Sequence, residues 1–209
     1  TTTSAGARIY LDHGATTPVD PRVVAVMRPF LAEKFGNASS VHQFGQEARE
    51  AVDRAREIIA GAIGAKSQEV VFTSGATEAD NFAVLGAAWA NETSGRHIIT
   101  SSVEHHAVLE PCRFLESRGF TLTILPVDRF GRVDPDDARR AIRDDTILIS
   151  VMLANNEIGT LEPVAEIGRL ARARGILMHT DATQAVGILP ARVDDLAVDL
   201  LSMSAHKRY

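Results

Sequence analysis

Cysteine is nearly absent from this 209-residue chain, and Cys112 stands alone. One thiol excludes an internal disulfide framework and any cluster of cysteine metal ligands. It also fits a reducing compartment, so the cytosol is the expected location. Long hydrophobic runs are missing too. The longest stretch of apolar residues and glycine, Phe82 to Ala90, falls far short of the ~18 residues a membrane-spanning helix requires. Thr1 to Ala7 is small and polar and lacks the apolar centre of a secretion signal. Basic residues are the minority, with 22 Lys and Arg against 27 Asp and Glu and a net charge of −5. Nucleic acid and anionic membranes are therefore not expected as direct partners. Lysine itself is scarce: Lys34, Lys66 and Lys207 are the only ones.

What remains is an ordinary globular composition, 45% hydrophobic and 23% charged, enough to build the core of one large domain. Ala48, Ala51, Val52, Ala55, Ile58, Ile59, Ala62 and Ile63 recur at spacings of three and four, the stripe of an amphipathic helix that Gly64 can stop. Glu69 to Thr73 reads as a buried strand, Ser74-Gly75 as a turn and Ala76 to Ala90 as a helix. The alternation continues with strands expected at 97–101, 121–125, 146–153, 176–179 and 199–202. Helices are expected at 107–117, 135–143 and 164–174, with Asp134 capping the second and Gly175 closing the third. Strands without polar alternation, separated by helices, predict an α/β fold whose mostly parallel sheet is flanked by helices. Ligands of such sheets bind at the carboxyl ends of the strands.

Four polar clusters fall there. Thr73-Ser74-Gly75-Ala76-Thr77-Glu78 joins a strand to a helix start, where free N–H groups, the Thr77 hydroxyl and the helix dipole favour an anion. The bland alternative is a capped helix in which Ser74 or Thr77 satisfies its own backbone. His179-Thr180-Asp181-Ala182 ends an apolar strand in a carboxylate that can hold a protonated ring nitrogen, or cap a short helix from Ala182 to Val186. Ser204-Ala205-His206-Lys207 places a lysine at a strand end, where burial can prepare it for Schiff-base chemistry, or where it is a solvated surface residue. Glu104-His105-His106 offers an imidazole that can stack on a flat ligand, and Asn155-Asn156-Glu157 adds hydrogen-bonding groups at the same edge. An anion turn, a carboxylate for a pyridinium, a stacking histidine and a strand-end lysine together make the set that pyridoxal 5′-phosphate requires. No metal site is expected.

The ordered motifs Ala15-Thr16-Thr17-Pro18, Phe35-Gly36-Asn37, Phe72 to Glu78, Glu104 to Val108, Asn155-Asn156-Glu157-Ile158-Gly159, His179 to Ala182 and Ser204 to Lys207 resemble the cysteine desulfurases of the NifS and IscS type. These belong to the class V aminotransferase-like, fold-type I enzymes that use pyridoxal phosphate. The resemblance implies that Lys207 attaches the cofactor and that Ala76, Thr77, Ser204 and His206 hold its phosphate. It implies further that His105 stacks on the ring and assists proton transfer, Asp181 pairs with the ring nitrogen, Gln184 contacts the 3-oxygen, and Asn156 lies near the ring and the substrate carboxylate. Lys207 and His105 would be the catalytic pair. The implied activity removes sulfur from L-cysteine, giving L-alanine and an enzyme persulfide that passes to an acceptor protein, for uses such as iron–sulfur cluster assembly. A homodimer is implied as well. Another class V enzyme (a selenocysteine lyase or an aminotransferase) and a non-catalytic fragment are the alternatives.

Residues 1–14 are expected to form an N-terminal segment and 15–209 an incomplete cofactor-binding large domain, with the family's small C-terminal domain and persulfide cysteine outside this chain. On its own, the 209-residue chain is therefore expected not to turn over. Cys112, in a helical pattern far from the family's cysteine position, reads as a small buried apolar residue. His13-Gly14 and Arg208 depart from the family pattern.

Overall fold

The computed structural model describes residues 8–209, so Thr1–Ala7 and the expectation about a secretion signal lie outside the described residues. Helices α1 (Pro21–Met27), α2 (Pro29–Ala32), α3 (Gln43–Ile63) and α4 (Ala76–Ala90) come first. They are followed by β1 (His97–Ser101), α5 (His106–Ser117), β2 (Thr121–Leu125), α6 (Pro135–Ala141), β3 (Thr146–Ser150), α7 (Val164–Ala173), β4 (Leu177–Asp181), α8 (Val193–Leu196) and β5 (Leu200–Ser202). All the strand pairings are parallel, and the five strands lie in the order β2-β1-β3-β4-β5. The direction of travel reverses between β1 and β3, which opens a crevice at their carboxyl ends.

Both faces of the sheet are covered. Val84, Ala88, Val108, Cys112 and Leu115 of α4 and α5 pack on Ile98 and Leu148. Ala138, Val164, Ile167 and Ala171 of α6 and α7 pack on Ile99, Ile149 and Met178 from the other side. With both faces buried, β1 and β3 contain no exposed residue, which is why neither shows polar alternation. Among their buried polar residues is His97, whose Nδ1 and Nε2 lie 2.7 Å from Thr146 Oγ1 and 2.8 Å from Thr123 Oγ1, linking three strands. Helices α1 and α2 bury no residue, and apolar side chains such as Val26, Leu31, Phe35 and Ile58 leave an exposed apolar surface across α1–α3.

Local signals set most boundaries. Gly64 ends α3 in the left-handed conformation at φ 75°, and the Asp134 side chain accepts the Asp136 N–H at the start of α6. Strands β3 and β4 are offset from expectation: regular β3 stops at Ser150, though the Val151 and Leu153 N–H groups still donate to the His179 and Asp181 carbonyls, and β4 runs on to Asp181. After Asp181 the chain makes turns, not the short helix at 182–186 that is the alternative reading of that carboxylate.

The strand expected at Glu69–Thr73 is not formed. Residues Ser67–Glu69 make a 3-10 turn, and the following residues pair with no strand of the sheet. Val71 and Phe72 are exposed. An apolar run reports a tendency to be buried, not a partner to pair with. Here the segment is held along α3 instead, where the Arg56 guanidinium lies 4.7 Å from the Phe72 ring centroid and donates to the Val70 carbonyl. Among the described residues no helix is long and apolar enough to cross a membrane.

Candidate active site

The carboxyl ends of the central strands, the first turn of α4 and the segment from Ala15 enclose a cavity of about 430 Å³, within the usual range for a small-molecule site. Eight of the residues expected at a site line it: Ala76, Thr77, His105, Asn156, Asp181, Gln184, His206 and Lys207. They come from five stretches of chain that meet only because the strands run in parallel and end at one rim.

At the α4 end, Gly75 precedes the helix and no side chain caps it. The bland reading of this turn fails, because the Thr73 hydroxyl donates to the Gly75 carbonyl at 3.0 Å and the Glu78 carboxylate accepts the Ser74 N–H at 2.5 Å. Those bonds close the turn at the cavity wall without using the first N–H groups of α4. The Ser74 contact also holds the Glu78 carboxyl below its ordinary pKa. A side chain at Gly75 would meet no protein atom, so the turn presents bare backbone to an anion.

The tandem histidines separate. His105 is the N-cap of α5, and its Nδ1 accepts the Ala107 N–H at 3.1 Å. That bond fixes the ring and, in the neutral form, leaves the proton on Nε2. His106 points away, 4.0 Å from Glu110 and mostly exposed. The loop carrying His105 is held by Glu104, whose Oε1 accepts from Ser101 Oγ at 2.6 Å and from the Met152 N–H at 2.8 Å. Burial drives the Glu104 carboxyl up to about 8 against those two hydrogen bonds.

Asp181 ends β4 and is 6% exposed. Its Oδ1 accepts the Thr183 N–H at 2.9 Å, so it caps the turn and lines the cavity at once. Gln184 donates from Nε2 to the Gly14 carbonyl at 2.9 Å. Asn155 is structural, accepting the Glu157 and Ile158 N–H groups at 2.9 and 3.0 Å, while Asn156 faces the cavity. Lys207 closes a 3-10 turn from Ala205 and lines the cavity. Lys34 lies 5.9 Å from the Phe30 ring centroid and Lys66 pairs with Glu69 at 3.8 Å, both elsewhere.

Ser204 does not line this cavity. It is buried against a neighbouring hollow of about 380 Å³ that shares Ser74, Gly75 and His206. Among the departures from the family pattern, the His13 ring packs edge-on against Tyr10 at 5.1 Å, and Gly14 takes the Gln184 bond. Arg208 donates to the carbonyls of Val186, Lys207 and Thr183, tying the Gln184 turn to the lysine. Cys112 is fully buried, and burial pushes its thiol up to about 12.

Several residues of the site were missed in the sequence. Ala15, Asp80, Met152 and Thr183 line the cavity, and Thr17 holds its rim by donating to the His206 carbonyl at 2.9 Å. Asp80 carried a usable signal, being an acid one turn before Val84 on the core-facing side of α4. Both its oxygens, and the Thr183 hydroxyl, are buried without a hydrogen-bond partner among the described residues. The residues present fit pyridoxal 5′-phosphate: an uncapped helix start for its phosphate, a carboxylate with one oxygen uncommitted for its ring nitrogen, a fixed imidazole and one lysine. Among the described residues no group of three or more His, Cys, Asp or Glu could hold a metal ion.

The sequence pattern described as aminotransferase class-V matches residues 9–209. The chain is 62% identical over 201 residues to a protein named cysteine desulfurase IscS from Dictyoglomus turgidum, covering 96% of this chain and 51% of that one. It is 54% identical to cysteine desulfurase IscS from Methanosarcina thermophila, covering 95% and 49%. Among solved structures it resembles SspA in complex with cysteine, with TM-score 0.92 and 42% identity over 95% of this chain and 57% of that one. A NifS-like protein gives TM-score 0.93 and 41% identity over 96% and 56%. The chain spans about half the length of the curated relatives it matches.

Proposed function

The chain belongs to the aminotransferase class-V family, and from that membership and the cavity's chemistry we infer that it is the pyridoxal-phosphate-bearing part of a cysteine desulfurase. The observation that carries this is the convergence of Thr77, His105, Asp181 and Lys207 on one cavity. Residues 15–209 are its cofactor-binding domain, and 1–14 lead into it, joined by the Gln184 bond to the Gly14 carbonyl.

The first N–H groups of α4 and the Thr77 hydroxyl would hold the cofactor phosphate, with His206 beside them. Lys207 Nζ would attach the cofactor and, when free, would carry a proton. His105, fixed through Nδ1, would stack on the ring and move a proton at Nε2. Asp181 would keep the ring nitrogen protonated, because an adjacent negative charge favours the protonated form. Gln184 would contact the 3-oxygen, and Asn156 the substrate carboxylate. Bound there, pyridoxal phosphate draws electrons from the substrate's alpha carbon.

The reaction converts L-cysteine and an enzyme thiol into L-alanine and an enzyme persulfide, from which an acceptor protein takes the sulfur for uses such as iron–sulfur cluster assembly. The buried, weakly acidic Cys112 does not suit that thiol. The exposed apolar side chains of α1–α3 support a homodimer, and the single cysteine supports a cytoplasmic setting. The test supplies L-cysteine to the full-length holoprotein and measures alanine and protein-bound persulfide. Equal amounts of the two are expected, and bound cofactor without alanine would overturn the assignment.

A further inference from the structure

Asp80 is fully buried on α4, one turn beyond Ala76, at the floor of the cavity. It makes no hydrogen bond among the described residues. A carboxylate in that position would carry a charge with neither solvent nor a formed hydrogen bond to stabilise it. The groups beneath it belong to the three strands on which α4 packs, β3, β4 and β5. Its Oδ1 lies 3.7 Å from His179 Nε2, with both side chains wholly buried. His179 is already occupied, by Ser150 Oγ at 2.8 Å on Nδ1 and Ser202 Oγ at 3.0 Å on Nε2. Two hydroxyls, each able to donate or accept, suit a neutral imidazole. Asp181 lies two residues further along β4, on the same face of the strand as His179, and Glu104 approaches from the loop after β1. Across the cavity stand His105, His206 and Lys207.

Resting on the reading of Asp181 as the partner of the ring nitrogen, we propose that Asp80 is a positioning residue. With His179, Ser150 and Ser202 it forms a neutral polar block behind Asp181. That block leaves Asp181 as the one charged carboxylate offered to the cofactor.

Three carboxyls crowd this region: Asp80, Glu104 and Asp181. Charging all of them in a dry pocket is strongly unfavourable. The Asp80 oxygens are buried with no hydrogen bond formed among the described residues and the shared Ser202 hydroxyl near them, whereas Asp181 takes the Thr183 N–H, so the charge belongs on Asp181. Burial, and then the Asp181 charge, move the Asp80 carboxyl upward against the Ser202 hydroxyl, and burial moves His179 downward against the Asp181 charge. Both directions are toward the uncharged forms. The block also spans α4, β3, β4 and β5, so it fixes the phosphate turn relative to the ring-nitrogen carboxylate.

The test loads the full-length protein with pyridoxal 5′-phosphate labelled with nitrogen-15 in the ring and reads that nitrogen's chemical shift, which separates protonated from neutral rings. Asp80→Asn, which copies the shape and neutrality of the protonated acid, should keep the wild-type shift. Its thermal midpoint should also fall less with rising pH. Asp80→Ala should keep most of its cofactor yet move the signal toward the neutral-ring position, with kcat lowered about tenfold and KM within about twofold. If Asp80→Asn moves the signal as far as alanine does, Asp80 acts as an anion and the proposal fails. An unmoved signal in Asp80→Ala makes it only a filler and also sinks the proposal. Should alanine prevent folding, the pH dependence of the Asp80→Asn midpoint decides: an unchanged slope refutes a neutral Asp80. Asp181→Asn separates the underlying reading, since an unmoved signal there refutes the role of Asp181 itself.

Discussion

The Thr17 backbone N–H and the Thr17 hydroxyl both donate to the His206 carbonyl, each at 2.9 Å, across 189 residues of chain. The same hydroxyl accepts the Tyr209 N–H at 2.7 Å, and Thr16 Oγ1 lies 3.1 Å from His206 Nδ1. An N-terminal segment without a strand of its own thus laces the turn that carries Lys207, and it sets where that lysine stands.

Thr17→Val should loosen that turn. The substitution keeps the branched shape but removes one donor and leaves the Tyr209 N–H without its acceptor, at a cost of about 1–3 kcal/mol. Cofactor affinity of the full-length protein should fall roughly five- to fiftyfold, read by titrating apoprotein with pyridoxal phosphate. Unchanged affinity would show that the lacing does not position Lys207.

Asp181→Asn tests chemistry apart from fold. The amide nearly preserves shape and can still accept the Thr183 N–H, but it withdraws the charge that keeps the ring nitrogen protonated. Losing a charge-assisted bond costs about 1.5–3 kcal/mol, so alanine formation should slow roughly ten- to hundredfold while cofactor content stays near wild type. Wild-type turnover in this variant would reduce Asp181 to a turn cap.

Borohydride reduction of the holoprotein, followed by peptide mapping, should place the cofactor on Lys207. The other two lysines lie away from the cavity, Lys66 paired with Glu69 and Lys34 beside Phe30. An adduct on either one refutes the assignment.

Glu104 gives the fold a pH dependence. Its carboxyl, ordinarily at 4.5, is pushed up to about 8 by burial. Across that window the folded chain keeps a proton that the unfolded chain has released, so stability falls as pH rises and levels off above it. The contribution is at most ~1.4 kcal/mol per pH unit. Glu104→Gln, whose amide oxygen can still accept from Ser101 and Met152, should flatten part of this slope in urea unfolding measured between roughly pH 5 and 8. An unaltered slope would mean that Glu104 is ionised in the folded chain.

Helix α4 and the strands β1 and β2 are legible because turn residues bound clean apolar runs. The motifs at His105, Asp181 and Lys207 are legible because they follow or close the strands β1, β4 and β5. Val70-Val71-Phe72 misleads for the same reason, since an apolar run looks alike whether it joins a sheet or lies along a helix under an arginine. Asp80 escapes a reading that looks for chemistry at strand ends, because it sits inside α4. Its signal is an ionisable residue at a core-facing position, which has meaning only once the facing element is known. Thr17 stands in a recognisable motif, but its bond to His206 escapes because the two become neighbours only after folding.

Because the cavity draws on residues from Ala15 to Lys207, it cannot exist before Lys207 has been made. During synthesis the phosphate turn at Ala76 can form early, while the lysine is still inside the ribosome, and no covalent capture is possible until Lys207 emerges and folds back. Loss of bound cofactor should therefore accompany local opening of either the Ala15–Thr17 segment or the Lys207 turn, well before the sheet itself comes apart. The yellow colour of the holoprotein then serves as an assay of complete assembly as much as of catalytic competence.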